Sequence, residues 1–283
     1  VVAAVTERIK DEGTVAAAYT IVKRDGSHET VNAEVINERV ISIFVNGQEL
    51  ATIMSTPVDQ QALALGFLAN EGVIKSLDDV AAVDVCHGGA CVDVWLRSSS
   101  FERPRRMILT SGCGGGVTFD DLSAAHPPVV SERCISPERL WQLMDMLYER
   151  ADLYSRSRGV HTSVLSDGER VLAVAEDVGR HNTLDKLRGK ALMAGIDTHD
   201  SIILTTGRIS SEMINKARAM GVPIVCSRTS PTSLSVRLAA EWQMTLVGYL
   251  LRNSLNIYTH PERVLCSPES GADGRKREKI PHG

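Results

Sequence analysis

Across residues 160–258 short apolar runs take turns with segments of helical character, and this alternation restricts the fold more than any other feature. The runs VLAVA at 171–175, SIILT at 201–205 and VPIVC at 222–226 are too short for helices and rich in β-branched residues, so they read as strands. Residues 182–194, 210–220 and 232–242 read as the helices between them, the second closed by Gly221. Two more strands are expected at 245–249 and 255–258. Strands separated by helices pair side by side rather than as hairpins. The expectation is therefore a largely parallel sheet with helices on its faces.

The chain ahead of this alternation has a different character. Ser136-Pro137-Glu138 opens a long helix: a cap, a proline at the first position and an acid at the positive end. Leu140, Leu143, Met144, Leu147, Ala151 and Tyr154 give it one apolar face, and Gly159 stops it. Upstream, a strand at 40–45 meets an Asn46-Gly47 turn and a partner strand at 49–54. Thr56 is placed to cap a helix with Pro57 at its first position, running through Phe67 and Leu68 to Gly72. Residues 83–96 read as a hairpin turning at Cys86-His87-Gly88-Gly89-Ala90-Cys91. The expected organisation is a partly ordered segment 1–35 with a short strand near Tyr19, a smaller α+β domain 36–110, a glycine-rich loop and linker 111–135, an α/β domain 136–266 and a frayed tail 267–283.

Composition narrows function by exclusion. With 31 basic and 35 acidic side chains the 283-residue chain carries a net charge of −4, against a general nucleic-acid coat. Aromatics at 4% are too few for a base-stacking platform. No apolar run approaches the roughly 18 residues that span a bilayer, and the first residues lack signal-peptide order, so a cytoplasmic setting with free thiols is expected. There are six cysteines but no CxxC, and no metal site is expected. Cys86 and Cys91 read as hairpin residues or, as the alternative, a metal or redox pair. Cys226 reads as buried, and Cys134, two residues before a helix start, as a second-choice reactive thiol.

In such a sheet, ligands bind beyond the carboxyl ends of the strands. Three loops there each carry an arginine and feed a helix N-terminus: 176–182 with Arg180 and His181, 206–210 with Thr206, Gly207 and Arg208, and 227–232 with Ser227, Arg228 and Thr229. Free backbone N–H groups, the helix dipole and a guanidinium together suit a phosphate-bearing ligand. None is a GxGxxG or P-loop motif, so dinucleotide redox and NTP hydrolysis lack their usual scaffolds. His181, beside Glu176 and Asp177, reads either as a general base or as a hydrogen-bonded capping residue. In LTSGCGGGV, residues 109–117, Cys113 stands among four glycines, either in a plain flexible turn or as a thiol on a swinging loop.

The ordered blocks LTSGCGGG, EDVGRHNTLDK, ILTTGRISSEMINKA, SRTSPTSLSVRLA and TLVGYLLRNSLNIYTHPERV, with NGQELATIMSTPVDQQALALGFLANEGVI upstream, resemble the FdhD family of formate dehydrogenase accessory proteins. The resemblance spans roughly residues 20–265. It implies a sulfurtransferase that takes persulfide sulfur from a cysteine desulfurase and delivers it to the molybdenum of a bis(molybdopterin guanine dinucleotide) cofactor, bound as cargo, for formate dehydrogenase. On this reading Cys113 is the carrier. The cofactor segment falls on Tyr249, Leu250, Leu251, Arg252, Asn253 and Ser254, and a guanine nucleotide would mimic the cargo. The implied fold is a cytidine deaminase-like three-layer α/β/α core with a smaller N-terminal domain, working as a homodimer. No deaminase zinc signature is present, so no deaminase chemistry is implied. One departure stands out: many members carry CxxC in the glycine loop, and here the second position is Gly116. The rival reading is therefore a cofactor-binding chaperone that moves no sulfur, and a further one is a nucleotide-dependent enzyme.

Overall fold

In a computed structural model, the described residues are 13–99, 101, 108–109, 117–118 and 126–265. Strands β1 (Thr14–Val22) and β2 (His28–Ile36) form an antiparallel ribbon. Its register puts Val15, Ala17, Tyr19 and Ile21 on one face with Val31, Ala33 and Val35. This alternation extends well beyond the short strand expected near Tyr19. It is easily overlooked because small alanines and exposed polar residues interleave the apolar ones.

Next comes a four-stranded sheet in the order β4-β3-β6-β5, from β3 (Arg39–Val45), β4 (Gln48–Ser55), β5 (Val80–Val85) and β6 (Cys91–Leu96). Both expected hairpins are present. Helix α1 (Gln60–Asn70) buries Leu63, Phe67 and Leu68 against Ile41, Ile43 and Val94 of this sheet. It starts three residues later than expected. Thr56 does not cap it, because Thr56 is drawn into a tertiary contact: its N–H donates to Asp177 Oδ2 (3.1 Å) and its Oγ1 accepts from Val178 N (3.1 Å). Asp59 precedes the helix in the left-handed region (φ 57°) and pairs with Lys190 at 2.6 Å. Two-residue strands β7 (Ile108–Leu109) and β8 (Val117–Thr118) pair antiparallel.

The expected helix from Ser136 is two helices, α2 (Pro137–Glu149) and α3 (Asp152–Ser157), with Ser136 capping through Arg139 N. A strand absent from the sequence reading, β9 (His161–Ser166), then forms a hairpin with β10 (Val171–Asp177) around Gly168, at φ +93°. The remaining order is α4 (Arg180–Ala194), β11 (Ile202–Thr205), α5 (Ser211–Ala219), β12 (Ile224–Ser227), α6 (Ser233–Glu241), β13 (Thr245–Leu251) and β14 (Ser254–Thr259).

The six strands order as β10-β9-β11-β12-β13-β14. Only β11, β12 and β13 run parallel to their neighbours in that set, and the other pairings are antiparallel. The largely parallel sheet expected from sequence is therefore a mixed one: β9 and β13 each join a hairpin partner with no helix between. Alternate residues serve two cores. Ile203, Val225 and Leu246 pack with α4, α5 and α6 on one face. Ile202, Leu204, Ile224 and Val247 pack with Leu140, Leu143 and Leu147 of α2 on the other. Among the described residues no helix is long and apolar enough to cross a membrane.

The two halves meet where α1 crosses α4. A methyl group on Gly66 would overlap the Asp185 carbonyl, and one on Gly189 the Ala62 carbonyl. The backbones therefore lie closer than side chains allow. A buried ionic seam flanks this crossing. Lys186 Nζ sits 2.6 Å from Asp177 Oδ2 and donates to the Thr56 and Glu176 carbonyls (3.0 and 3.2 Å). Asp177 also accepts from Ser55 Oγ (2.5 Å), Gly179 N (2.7 Å) and Asn182 Nδ2 (2.8 Å). Lys216 Nζ sits 2.6 Å from Asp185 Oδ2, and Asn70 Nδ2 donates to Asp185 Oδ1 (2.8 Å). Burial alone would lower the Lys216 pKa, but the Asp185 and Glu212 carboxylates outweigh it and raise it.

Candidate functional site

The parallel strands β11 and β12 deliver their carboxyl ends, and the loops carrying Arg208 and Arg228, to one edge of the sheet. Antiparallel pairing brings the end of β10 and the start of β9 to the same edge. In sheet order, Arg180, Arg208, Arg228 and Arg252 follow β10, β11, β12 and β13. From β10 to β13 is four steps of about 4.8 Å, roughly 19 Å, the scale of an extended ligand rather than a single anion.

The loops after β11 and β12 are tied together. Ser227 Oγ donates to the Gly207 carbonyl (2.7 Å), Arg228 N donates to the Thr205 carbonyl (3.2 Å) and Thr229 N donates to Ser227 Oγ (2.9 Å). Thr206 N donates to the Thr162 carbonyl (3.0 Å), fixing the first loop to β9. Gly207 lies against Arg180 and His161: a Cβ there would stand 2.9 Å from Arg180 Cβ and 3.2 Å from His161 Nδ1. Arg208 and Arg228 are exposed, whereas Arg180 is buried beneath Gly207.

On the α2 side of this edge is a cavity of about 260 Å³, lined by Trp141, Tyr148, Arg228, Leu250, Leu251 and Arg252 among others. The Arg228 guanidinium lies over the Tyr148 ring (5.7 Å to the centroid) and donates to its hydroxyl (3.1 Å). Trp141 Nε1 donates to the Leu251 carbonyl (2.8 Å), anchoring the end of β13 to α2. The register slips between Gly248 and Leu251. Tyr249, in this irregular stretch, takes φ 48°, rare for an aromatic residue, and its N–H donates to the Thr229 carbonyl (3.0 Å). Tyr249, Leu251, Arg252, Asn253 and Ser254 are exposed, whereas Leu250 is 2% exposed and packs in the α2 core.

His181 is buried at the start of α4. Its Nε2 lies 2.9 Å from Ser210 Oγ and its Nδ1 3.3 Å from Glu212 Oε2. Burial, followed by the Arg180 and Lys216 charges, pushes its pKa down to about 2, so it stays neutral. His161, which the sequence reading passed over, stands at the edge between Asp177 and Gly207. Its signal was positional: the first residue of an antiparallel strand shares an edge with the last residue of its neighbour, and β9 itself had not been recognised.

Cys113 and Gly116 lie outside the described residues. The expectation of free thiols is corrected elsewhere. Cys86 and Cys91 are joined as a disulfide across the hairpin, with their Cα atoms 5.3 Å apart. Antiparallel pairing of β5 with β6 places them opposite each other, so the hairpin reading holds, with the two cysteines joined across it. Cys134 is also disulfide-bonded, which removes it as a second reactive thiol. Cys226 is buried, and burial pushes its thiol pKa well up, as expected of an inert core cysteine. Among the described residues no cluster of three or more His, Cys, Asp or Glu side chains is arranged to hold a metal ion.

Comparison with known proteins identifies the family. The model of the FdhD/NarQ family matches residues 36–265. A sulfur carrier protein FdhD from Bacillus subtilis is 35% identical over 245 residues, covering 84% of this chain and 93% of that protein. One from Wolinella succinogenes is 36% identical over 253 residues, covering 86% and 88% respectively. A crystal structure of a protein assigned as a formate dehydrogenase accessory protein, from Desulfotalea psychrophila, superposes with a TM-score of 0.75 at 27% identity, over 89% of this chain and 100% of that one. Matched over most of its length by the family model and by these relatives, the chain belongs to the FdhD/NarQ family.

Proposed function

We propose that this protein is a sulfur carrier that serves formate dehydrogenase, with Cys113 as the carrying thiol. The supporting observation is the match of residues 36–265 to a family whose relatives are named sulfur carrier proteins, together with a cysteine set among four glycines. The Cys113 thiolate attacks the outer sulfur of a persulfide on a cysteine desulfurase. The donor's S–S bond breaks, a new S–S bond forms on Cys113, and the donor cysteine leaves as thiolate. A glycine-flanked cysteine suits delivery between two proteins.

The cargo on this reading is a molybdenum bis(molybdopterin guanine dinucleotide). The arginine row supports that choice: Arg208, Arg228 and Arg252 are exposed along one edge and match an extended ligand carrying several phosphates. The cavity beside Trp141, Tyr148 and Arg228 offers aromatic and guanidinium surfaces to a guanine base. We assign the layered core to the cytidine deaminase-like class, and the working form to a homodimer in the cytoplasm.

One observation favours a second reading. The family resemblance implies a second cysteine in many members where this chain has Gly116, and its absence here suits a chaperone that holds the cofactor without moving sulfur. Activation of formate dehydrogenase in cells that lack the native carrier separates the two. Cys113→Ala is expected to abolish activation while GDP binding by the purified variant persists. Normal activation by the variant overturns the carrier assignment.

A further inference from the structure

Among the described residues that line the cavity between α2 and the end of β13, one is acidic: Asp145. It stands four residues after Trp141 and three before Tyr148, so the three side chains share one stripe of α2. The carboxylate is exposed, and among the described residues no ion pair or hydrogen bond engages it, although Arg228 and Arg252 line the same cavity. Its own helix supplies no counter-charge. The residues three and four positions away are Trp141, Gln142, Tyr148 and Glu149, and the last is a second acid. Local helix energetics therefore give no reason for a carboxylate here, and what distinguishes its place is the cavity wall.

The other walls suit a flat heterocycle. Arg228 lies over the Tyr148 ring and donates to its hydroxyl, and Trp141 is fixed by its bond to the Leu251 carbonyl. Indole and guanidinium both offer delocalised surfaces for stacking. At about 260 Å³ the cavity is smaller than the roughly 300–1,000 Å³ that encloses a whole ligand, so it has room for one end of an extended one. A carboxylate accepts hydrogen bonds and donates none. Guanine presents N1–H and the N2 amino group side by side, two donors that match the two oxygens of a carboxylate. Adenine presents N1 as an acceptor on the same edge and sets lone pair against lone pair.

We propose that Asp145 is the specificity-determining contact of this cavity: its carboxylate accepts hydrogen bonds from N1–H and the N2 amino group of a guanine base seated there. This rests on the guanine-nucleotide reading above. The same charge sets the direction of the ligand. Phosphates are repelled from Asp145 and drawn toward Arg208, which sits on the neighbouring loop and outside the cavity lining. The base therefore enters on the α2 side and the phosphates run along the arginine row.

The test is titration calorimetry of the full chain with GDP, inosine diphosphate, ADP and xanthosine diphosphate. The wild type is expected to bind GDP about tenfold more tightly than inosine diphosphate, which lacks the N2 amino group, and to bind ADP more weakly still. Asp145→Asn keeps the size of the side chain but turns one acceptor into a donor. It should lose about tenfold for GDP and bind xanthosine diphosphate, whose C2 carbonyl meets the new amide, better than the wild type does. Asp145→Ala should bind GDP and ADP alike, and both variants should melt as the wild type does, because the site is exposed. A wild type that binds GDP and ADP equally, or variants that keep the wild-type preference or weaken every nucleotide by the same factor, overturns the role of Asp145. No nucleotide binding by the wild type overturns the guanine-nucleotide reading itself, and this inference with it.

Discussion

Two groups of charges lie within a few strand widths of each other and are treated oppositely by the fold. In the seam beside the α1–α4 crossing, Asp177, Lys186, Asp185 and Lys216 are buried, and each meets an opposite charge at 2.6 Å with hydrogen bonds around it. At the carboxyl edge of the sheet, Arg208, Arg228 and Arg252 are exposed, with no carboxylate bridged to any of them among the described residues. The net charge of the chain is −4, so this local run of positive side chains is not a product of overall composition. The difference separates charges that hold two halves of a molecule together from charges left facing solvent, where the proposed ligand would meet them.

The largest expected effect is on the seam. Lys186→Met strands Asp177 in the interior without its counter-charge, and a loss of about 3–5 kcal/mol of stability is expected in urea unfolding. The same variant, where folded, should bind GDP as the wild type does. Acid sharpens the same contrast. His181 has an unfolded pKa near 6.5 and a folded value of about 2, so below pH 6.5 the unfolded chain binds the extra proton. Stability should fall steadily as pH is lowered from 7 to 4, and His181→Gln should flatten that slope in thermal melts.

Edge substitutions should reverse the pattern. Arg228→Ala is expected to weaken GDP binding about tenfold, equal to ~1.4 kcal/mol, with the melting temperature within about 2 °C of wild type. The smallest effect is expected at the exposed pair of Arg156 with Glu34, 2.7 Å apart on the ribbon side of α3. Glu34→Ala should cost less than about 1 kcal/mol and leave GDP binding alone. An edge variant that melts early, or a seam variant that folds well and loses GDP, would break the distinction.

How much of this was legible in the sequence depends on where the signal lay. Helix caps at Ser136 and stops at Gly221 are local, and they hold in the structure. Strands β11, β12 and β13 showed as buried apolar runs. HTSVLS escaped because three of its six side chains are hydroxylic, Thr162, Ser163 and Ser166, all buried and hydrogen-bonded in the sheet. With β9 went His161 and the antiparallel half of the topology. The arginine loops were visible because small polar residues follow apolar runs. That Arg180 lies under Gly207 while Arg208 stays exposed is a property of packing that no local pattern carries. Thr56 shows the same limit: a good capping residue by local rules, it is claimed by Asp177, 121 positions away in the chain.

The central claim is that Cys113 carries sulfur. The most direct measurement is the intact mass of the protein after incubation with a cysteine desulfurase and free cysteine, beside Cys113→Ala. The account predicts a gain of one sulfur atom on the wild type, removed by a thiol reductant and absent from the variant. No gain on a folded wild type, with the desulfurase shown to be active, contradicts it and leaves the cofactor-holding chaperone as the reading that stands.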